Sequence, residues 1–244
     1  MSRMEFRRTN ELRDLIEEPG SSSTYFQNFH DSIRNESKRR VWLRREKEFQ
    51  GLNQIAWDQF KTKVKDSNYL TVNSELRGWE QLIGLLNEVR GYNYLKNLDC
   101  VDIHFLPNES NETPDLEGKF AEEIILCEVK TLNISDEESE RRNGLVAGEV
   151  LNFLPEGFMD KLGKAIDKAH NQCFSFKPNA RRIVYININF DDFLGESKQD
   201  YYKQIDQYLS NKENFPDIEI VFHIEQGCFH SSISMENATV INEG

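Results

Sequence analysis

The feature that most constrains this chain is an apolar run that ends in two opposite charges. Residues 124–127 read Ile-Ile-Leu-Cys, and Glu128, Val129 and Lys130 follow directly. The run predicts a buried β-strand. Strand alternation places Glu128 and Lys130 on one face, about 7 Å apart, with Val129 on the other. Because charges on a buried strand are costly unless they are paired or coordinate an ion, the sequence predicts a polar site on an otherwise apolar sheet.

A third charged residue comes close to this pair. Asp115 follows Pro114, and twelve residues separate it from Glu128, so it can lie on the preceding strand of a hairpin. Two carboxylates and one ammonium would then converge. Mg²⁺ usually takes one or two carboxylates together with waters and a substrate phosphate, and a lysine beside it can stabilise developing charge. Taken singly, Asp115 is typical of a turn, and Glu128 and Lys130 are typical of an exposed cross-strand patch.

This pattern resembles the PD-(D/E)xK motif of the restriction-endonuclease-like nuclease superfamily. Pro114-Asp115 corresponds to its PD, and Glu128-Val129-Lys130 corresponds to its ExK. The resemblance implies a hairpin in a mixed central sheet. It also implies that Asp115, Glu128 and the backbone carbonyl of Val129 bind Mg²⁺, which Mn²⁺ can replace.

The resemblance extends to a helix ahead of the motif. Behind a serine that can cap the helix, residues 74–86 carry apolar side chains at a helical period, namely Leu76, Trp79, Ile83 and Leu86. The family's first helix often supplies a further glutamate, and the place of Glu80 beside the apolar stripe favours it over Glu75 and Glu88. Glu80 is therefore implied as a further metal ligand. The implied catalytic residues are Glu80, Asp115, Glu128 and Lys130.

The order of predicted elements is that of an α/β protein. The sequence predicts strands at 100–106, around Pro114 and at 124–130, then a helix at 160–176, a strand at 182–190, a helix at 201–209 and a strand at 218–224. The resemblance covers roughly residues 72 to 190. It implies a restriction-endonuclease-like mixed central sheet flanked by helices over 71–244. An N-terminal helical extension is expected over 1–70, with its first 30 or so residues partly loose. On the helix after the strand that carries the lysine, many members of the family have a Gln and a Tyr four residues apart. This chain has Gln172 and Phe176 there, and because the phenol is missing, no role is assigned to the pair.

A net charge of −12 is unusual for a protein that binds nucleic acid, because phosphate contacts dominate such affinities. Residues 1–69 carry a net +3 and residues 70–244 a net −15. A bound divalent cation would invert the charge at the site, and basic side chains can be concentrated where a strand lies. The candidates for contact with nucleic acid are Arg39, Arg40, Arg44 and Arg45, and Lys161, Lys164 and Lys168. Both groups are also typical of the solvated face of an amphipathic helix, the first with Val41, Trp42, Phe49 and Leu52 packed inward.

Two further features narrow the class of protein. No apolar run approaches 18 residues, and the N-terminal residues have no apolar segment of the signal-peptide type, so a cytoplasmic protein without contact to a membrane is expected. The cysteines have no C-x-x-C spacing and predict neither a zinc site nor a disulfide framework: Cys100, Cys127, Cys173 and Cys228.

The sequence thus predicts a metal-dependent (deoxy)ribonuclease, an endonuclease that hydrolyses DNA phosphodiester bonds with a metal-activated water positioned by Lys130. The resemblance implies products with a 5′-phosphate. The alternative is a non-catalytic nucleic-acid-binding or assembly module that retains the nuclease fold. Expected partners are DNA and, because symmetric cutting of a duplex needs two sites, a second copy of the chain. In the non-catalytic alternative, the module is one half of a larger defence or repair complex.

Overall fold

The structure is a computed structural model, and the chain divides into two compact units. The first comprises residues 1–107 and 116–122, and the second comprises residues 108–115 and 123–244. The structure describes residues 4–17, 25–26, 28–66, 75–107, 113–133, 154, 156–189, 198–210, 218–224, 227–231 and 241–242. Of these, only the backbone is described for residues 75–81, 133, 156, 189, 198–199 and 224 onward.

The first unit is mainly helical, with one β-hairpin. Its elements are α1 Arg7–Ile16, α2 Phe29–Ser32, α3 Glu36–Gln50, α4 Gln54–Asp66, α5 Glu75–Asn97, β1 Val101–Phe105 and β2 Leu116–Phe120. Aromatic side chains fill its core: the ring centroids of Trp57 and Phe60 lie 5.8 Å apart, and those of Phe60 and Phe105 also lie 5.8 Å apart. Helices α2, α3 and α4 lie between residues 29 and 66, within the stretch where the sequence predicts a helical extension.

Helix α1 lies within the stretch that was predicted to be partly loose. Its Leu12 and Ile16 are fully buried, four residues apart on one face. Glu46 of α3 accepts hydrogen bonds from the backbone N–H groups of Arg8, at 3.1 Å, and Thr9, at 2.8 Å, and from the Thr9 hydroxyl, at 2.7 Å. First-turn N–H groups have no partner inside their own helix. The N-cap residue of α1, Phe6, has no side chain that could accept these hydrogen bonds. The carboxylate of Glu46, from another helix, accepts them instead.

Helix α3 agrees only in part with the amphipathic pattern predicted for it. Phe49 and the following Leu52 are buried, and the ring of Trp42 packs against Phe29, with centroids 4.9 Å apart. Val41 was predicted to pack inward, and this is wrong, because it is 60% exposed. The next residue, Trp42, makes the contact with the aromatic cluster, and adjacent helical positions do not share a face.

The hairpin of the first unit is irregular. Strands β1 and β2 are antiparallel, and their register shifts between Val101 and His104. Asp102 has a φ of 53° at this irregularity, a backbone conformation that is uncommon for a residue other than glycine. Strand β1 is the strand predicted at 100–106, but its side chains do not alternate regularly as that prediction assumed.

The second unit is α/β, with a five-stranded mixed sheet in the order β3-β4-β5-β6-β7. Its elements are β3 Glu123–Asn133, α6 Glu156–Phe176, β4 Arg181–Asn189, α7 Lys198–Ser210, β5 Ile218–Ile224, β6 Gly227–Ser231 and β7 Ile241–Asn242. Strands β3, β4 and β5 are parallel, whereas β6 is antiparallel to both of its neighbours. The predicted strands and helices from 124 to 224 are confirmed, and β6 and β7 were not predicted.

Helices α6 and α7 pack on the same face of the sheet. One apolar cluster joins Leu132 of β3 with side chains of β4 and β5, with α6 and with α7: Val184, Ile186, Phe222, Leu162, Ile166, Tyr201 and Ile205. Glu128 pairs in register with Val184, and Lys130 pairs with Ile186. Glu128 and Lys130 therefore lie on the helix-covered face. None of the helices in the described ranges has an apolar stretch long enough to cross a membrane.

Candidate functional site

Three of the four predicted catalytic residues meet at one point of β3. Asp115 Oδ2 accepts a hydrogen bond of 2.8 Å from the backbone N–H of Val129. Val129 lies between Glu128 and Lys130, and Lys130 Nζ donates a hydrogen bond to Glu128 Oε1. The side chain of Asp115 thus joins the edge of β3 at the charged pair. The two carboxylates and the ammonium therefore belong to the same segment of β3, and their joint role as a metal site stays a prediction.

Burial differs among these three side chains. Glu128 is 3% exposed, the side chain of Lys130 is 20% exposed, and Asp115 is half-buried. The alternative of an exposed cross-strand patch is therefore wrong for Glu128. A buried carboxylate needs a partner, because its removal from water is costly. The Lys130 ammonium supplies one partner. Glu128 is thus the buried member of the site, and Asp115 and Lys130 are its partly exposed members.

The charges of this cluster affect the pKa of the Cys173 thiol of α6. Burial raises the pKa of Cys173 to about 12, and the carboxylates of Glu128 and Asp115 act in the same direction. The ammonium of Lys130 and the guanidinium of Arg182 oppose them. Nearby negative charge disfavours a thiolate, so the two carboxylates add to the effect of burial on the pKa of Cys173.

Thiol labelling checks this environment. The three cysteines whose side chains are described form no disulfide and are buried: Cys100, Cys127 and Cys173. Burial also raises the pKa of Cys127 well above its usual value. Since only a thiolate reacts, we expect at most one of the four thiols to react in the folded protein at about pH 8.5, and all four in urea. Rapid labelling of Cys173 in native protein, located by mass spectrometry, would contradict the described packing of α6.

The donor atoms at the site fit a small divalent cation. The carboxylates of Asp115 and Glu128 and the carbonyl of Val129 are hard oxygen donors, which Mg²⁺ prefers, and two carboxylates are within its usual number. The hydrogen bond from the Val129 N–H holds Asp115 beside them. Among the side chains that the structure describes, no group of three or more His, Cys, Asp or Glu residues could hold a metal ion. A cation at this site would therefore complete its shell with waters and substrate oxygens.

The fourth predicted residue, Glu80, lies in α5 of the first unit. The predicted helix is confirmed and extends to Asn97. The side chain of Glu80 lies outside the described part of the chain, so its role as a third acidic ligand stays a prediction.

Sequence reasoning assigned no role to Gln172, but the structure brings it to the site. Its Nε2 donates a hydrogen bond of 2.6 Å to the backbone oxygen of Thr113, two residues before Asp115. Helix α6 thereby holds the segment that carries the aspartate. The two residues are 59 apart in sequence. The only sequence signal was the position of Gln172 on the helix after β3.

A buried arginine near the site was also missed. Arg182 at the start of β4 is 7% exposed, and its guanidinium lies 5.0 Å from the ring centroid of Phe174 and donates to the backbone oxygen of Pro178. In the sequence it looks like a charged residue that flanks a strand, and nothing local indicates that it turns inward.

The basic residues proposed to contact nucleic acid differ in their surroundings. In α3 three arginines form ion pairs within the first unit: Arg39 with Glu5, Arg40 with Glu36, and Arg45 with Glu48. Arg44 is half-buried, and the side chain of Arg45 is only 15% exposed. In α6 the three lysines are exposed, namely Lys161, Lys164 and Lys168. Contact with nucleic acid stays a prediction for both groups, and the lysines are the better presented.

Comparison of the chain with protein-family models, with curated proteins and with solved structures found no match. The arrangement of Asp115, Glu128 and Lys130 is therefore the observation on which a function must be argued.

Proposed function

We propose that this protein is a metal-dependent nuclease with a restriction-endonuclease-like fold, which hydrolyses DNA phosphodiester bonds at Asp115, Glu128 and Lys130. The observation that carries the proposal is the hydrogen bond from the Val129 N–H to Asp115, which gathers two carboxylates and one ammonium at a single point of a buried strand. The sequence of α5, β1, β2, β3, α6 and β4 supports it, since this is the order expected for that fold.

Each side chain has a defined part in this proposal. Asp115, Glu128 and the carbonyl of Val129 would hold Mg²⁺ or Mn²⁺, and the sequence resemblance adds Glu80 as an expected further carboxylate. When bound, the cation supplies Lewis-acid stabilisation of the phosphate oxygens. Glu128 holds the Lys130 ammonium, which orients the attacking water for in-line attack and stabilises negative charge as the P–O bond breaks.

The test is cleavage of plasmid and of single-stranded circular DNA with Mg²⁺, Mn²⁺ or EDTA. Asp115→Asn keeps an oxygen that can accept the Val129 N–H but loses the charge, so we expect cleavage to fall at least about 100-fold. Asp102→Asn is the matched control, because Asp102 is an exposed acid of the hairpin in the first unit. Equal rates for wild type and Asp115→Asn would refute the proposal. Cleavage of circular substrates would establish endonucleolytic action.

One observation favours the non-catalytic alternative. The Lys130 ammonium already pairs with Glu128, so the buried carboxylate has a cationic partner without any metal. A module that only binds nucleic acid or assembles with other proteins would retain this pair for stability. Calorimetric titration with Mn²⁺ separates the two proposals: stoichiometric binding that Glu128→Gln abolishes supports the nuclease, and no binding in the presence or absence of a DNA strand supports the module.

A further inference from the structure

One side of α6 leads from exposed lysines to the candidate site. Lys161, Lys168, Gln172 and Phe176 follow one another at spacings of seven, four and four residues. Because such spacings bring side chains to the same side of a helix, these four form a ridge, named here the α6 ridge. The sheet-facing side of the helix is a different one and carries the buried residues Leu162, Ile166, Ala169 and Cys173.

The α6 ridge reaches the site at Gln172. The amide of Gln172 donates to the Thr113 oxygen at 2.6 Å, which places this part of the ridge beside the segment that carries Asp115. Phe176 follows one turn later, about 6 Å further along the helix axis. Its side chain is 39% exposed, and the Lys177 ammonium lies 5.5 Å from its ring centroid. An exposed ring and a cation thus lie one helical turn beyond the residue that holds the segment carrying Asp115.

The charge of this region is opposite to that of the whole chain. Residues 168–182 contain no Asp or Glu but four basic residues, Lys168, Lys177, Arg181 and Arg182, in a chain of net charge −12. Lys168 is exposed and Lys177 is half-buried, whereas Arg181 pairs with Glu219 and Arg182 is buried, so the two lysines carry the positive charge that this region presents. The exposed acids of α6, Asp160 and Asp167, lie on its other flank. Lys164, four residues after Asp160 and three before Asp167, belongs to that mixed flank and not to the α6 ridge.

We propose that the α6 ridge binds a single DNA strand, with its phosphates on Lys161 and Lys168 and a base stacked on Phe176. This inference rests on the nuclease function proposed above and names its substrate class. An exposed aromatic ring beside cations suits a strand whose bases are unpaired, because base–aromatic stacking is largely independent of sequence and a duplex hides the faces of its bases. The ridge spans about 22 Å from Lys161 to Phe176, which is enough for a few nucleotides.

The overall acidity of the chain supports the same choice. A duplex presents phosphates on both strands at high density, and a protein of charge −12 repels it more strongly than it repels a single strand. A narrow basic stripe can neutralise one backbone only. The stacked base then supplies affinity that does not depend on charge.

Fluorescence anisotropy of the full chain in EDTA tests the inference without any hydrolysis. The probes are a labelled oligothymidylate of about twelve nucleotides, an abasic strand of the same length and the corresponding duplex. We expect the base-bearing strand to bind most tightly. Phe176→Ala should weaken it roughly tenfold while leaving abasic binding unchanged, and Phe176→Trp should restore it.

Two matched controls come from the same helix. Phe174 is 49% exposed and lies on the other side of α6, over Arg182, so Phe174→Ala should leave the affinity for the strand unchanged. Lys168→Ala should reduce the slope of the logarithm of the affinity against the logarithm of salt concentration by about 0.7, the value for one phosphate contact. Lys164→Ala should reduce this slope less.

Three results would overturn the inference. They are an equal loss of base-bearing and abasic binding in Phe176→Ala, tighter binding of the duplex, and displacement of the strand by polyglutamate as effectively as by DNA. The last would indicate a surface for acidic protein segments. Failure of the strand-binding inference can be told apart from failure of the nuclease proposal. Cleavage that depends on Asp115 but not on Phe176 removes only the strand-binding role. Base-dependent binding without cleavage in Mg²⁺ or Mn²⁺ removes only the nuclease.

Discussion

Lys130→Met is expected to lower the free energy of unfolding by about 3 kcal/mol, because removal of one member of a buried ion pair leaves the other charge without that partner. Glu128 is 3% exposed and accepts a hydrogen bond from this ammonium. Urea unfolding measures the loss. DNA hydrolysis should also fall at least about 100-fold, because the group that orients the attacking water is gone. Mn²⁺ should raise the Tm of the variant more than that of wild type, since a bound cation would offset the charge of the buried carboxylate that has lost its ammonium.

The double variant Lys130→Met, Glu128→Gln separates stability from catalysis. Removal of both charges should bring the free energy of unfolding back to within about 1 kcal/mol of wild type, while hydrolysis stays lost. Lys119→Met is the control, because Lys119 pairs with Asp102 where both side chains are more than half exposed and should change stability by less than about 1 kcal/mol. A double variant no more stable than Lys130→Met would contradict the expected recovery, and the Glu128→Gln single variant completes the cycle that gives the coupling energy.

Glu46→Ala is expected to cost about 3 kcal/mol and to loosen α1 first. The change removes the acceptor of two first-turn N–H groups and of the Thr9 hydroxyl, and Thr9 and Glu46 are both buried. A buried donor that loses its acceptor costs about 1–3 kcal/mol, although water that enters would reduce the sum. Urea unfolding gives the loss, and hydrogen exchange should show faster opening at the amides of α1 than elsewhere in the first unit.

Glu36→Ala is the matched control for Glu46→Ala. Glu36 lies on the same helix, but its ion pair with Arg40 is exposed, with 79% of the Glu36 side chain accessible. Its loss should change stability by less than about 0.5 kcal/mol. If Glu46→Ala were as mild as Glu36→Ala, the N-terminus of α1 would not depend on α3.

The parts of the structure that sequence reasoning predicted are those with a strong local period. Strand β5 has the predicted bounds, 218–224, because its apolar residues pack on both sides. The charged pair of β3 was predictable because two charges at the end of an apolar run are unusual. The proximity of Asp115 to this segment, through the Val129 N–H, was expected from the short chain between them and the family resemblance.

The parts that were missed depend on distant contacts. Helix α1 is capped by a residue 37 positions away, and Gln172 binds a carbonyl 59 positions away, so no local pattern could indicate either. The exposure of Val41 depends on which neighbour faces the aromatic cluster. Strands β6 and β7 are short, with five and two residues, and a short run carries little periodicity.

The path of the chain has a practical consequence for truncation. Between Pro107 and Glu123 the chain passes three times from one compact unit to the other, after residues 107, 115 and 122. A fragment that begins at residue 123 would keep Glu128 and Lys130 but lose Asp115 together with the Thr113 carbonyl that Gln172 holds. Neither unit can be excised by a single cut, so loss of activity on deletion of the first hundred or so residues would not assign the activity to them.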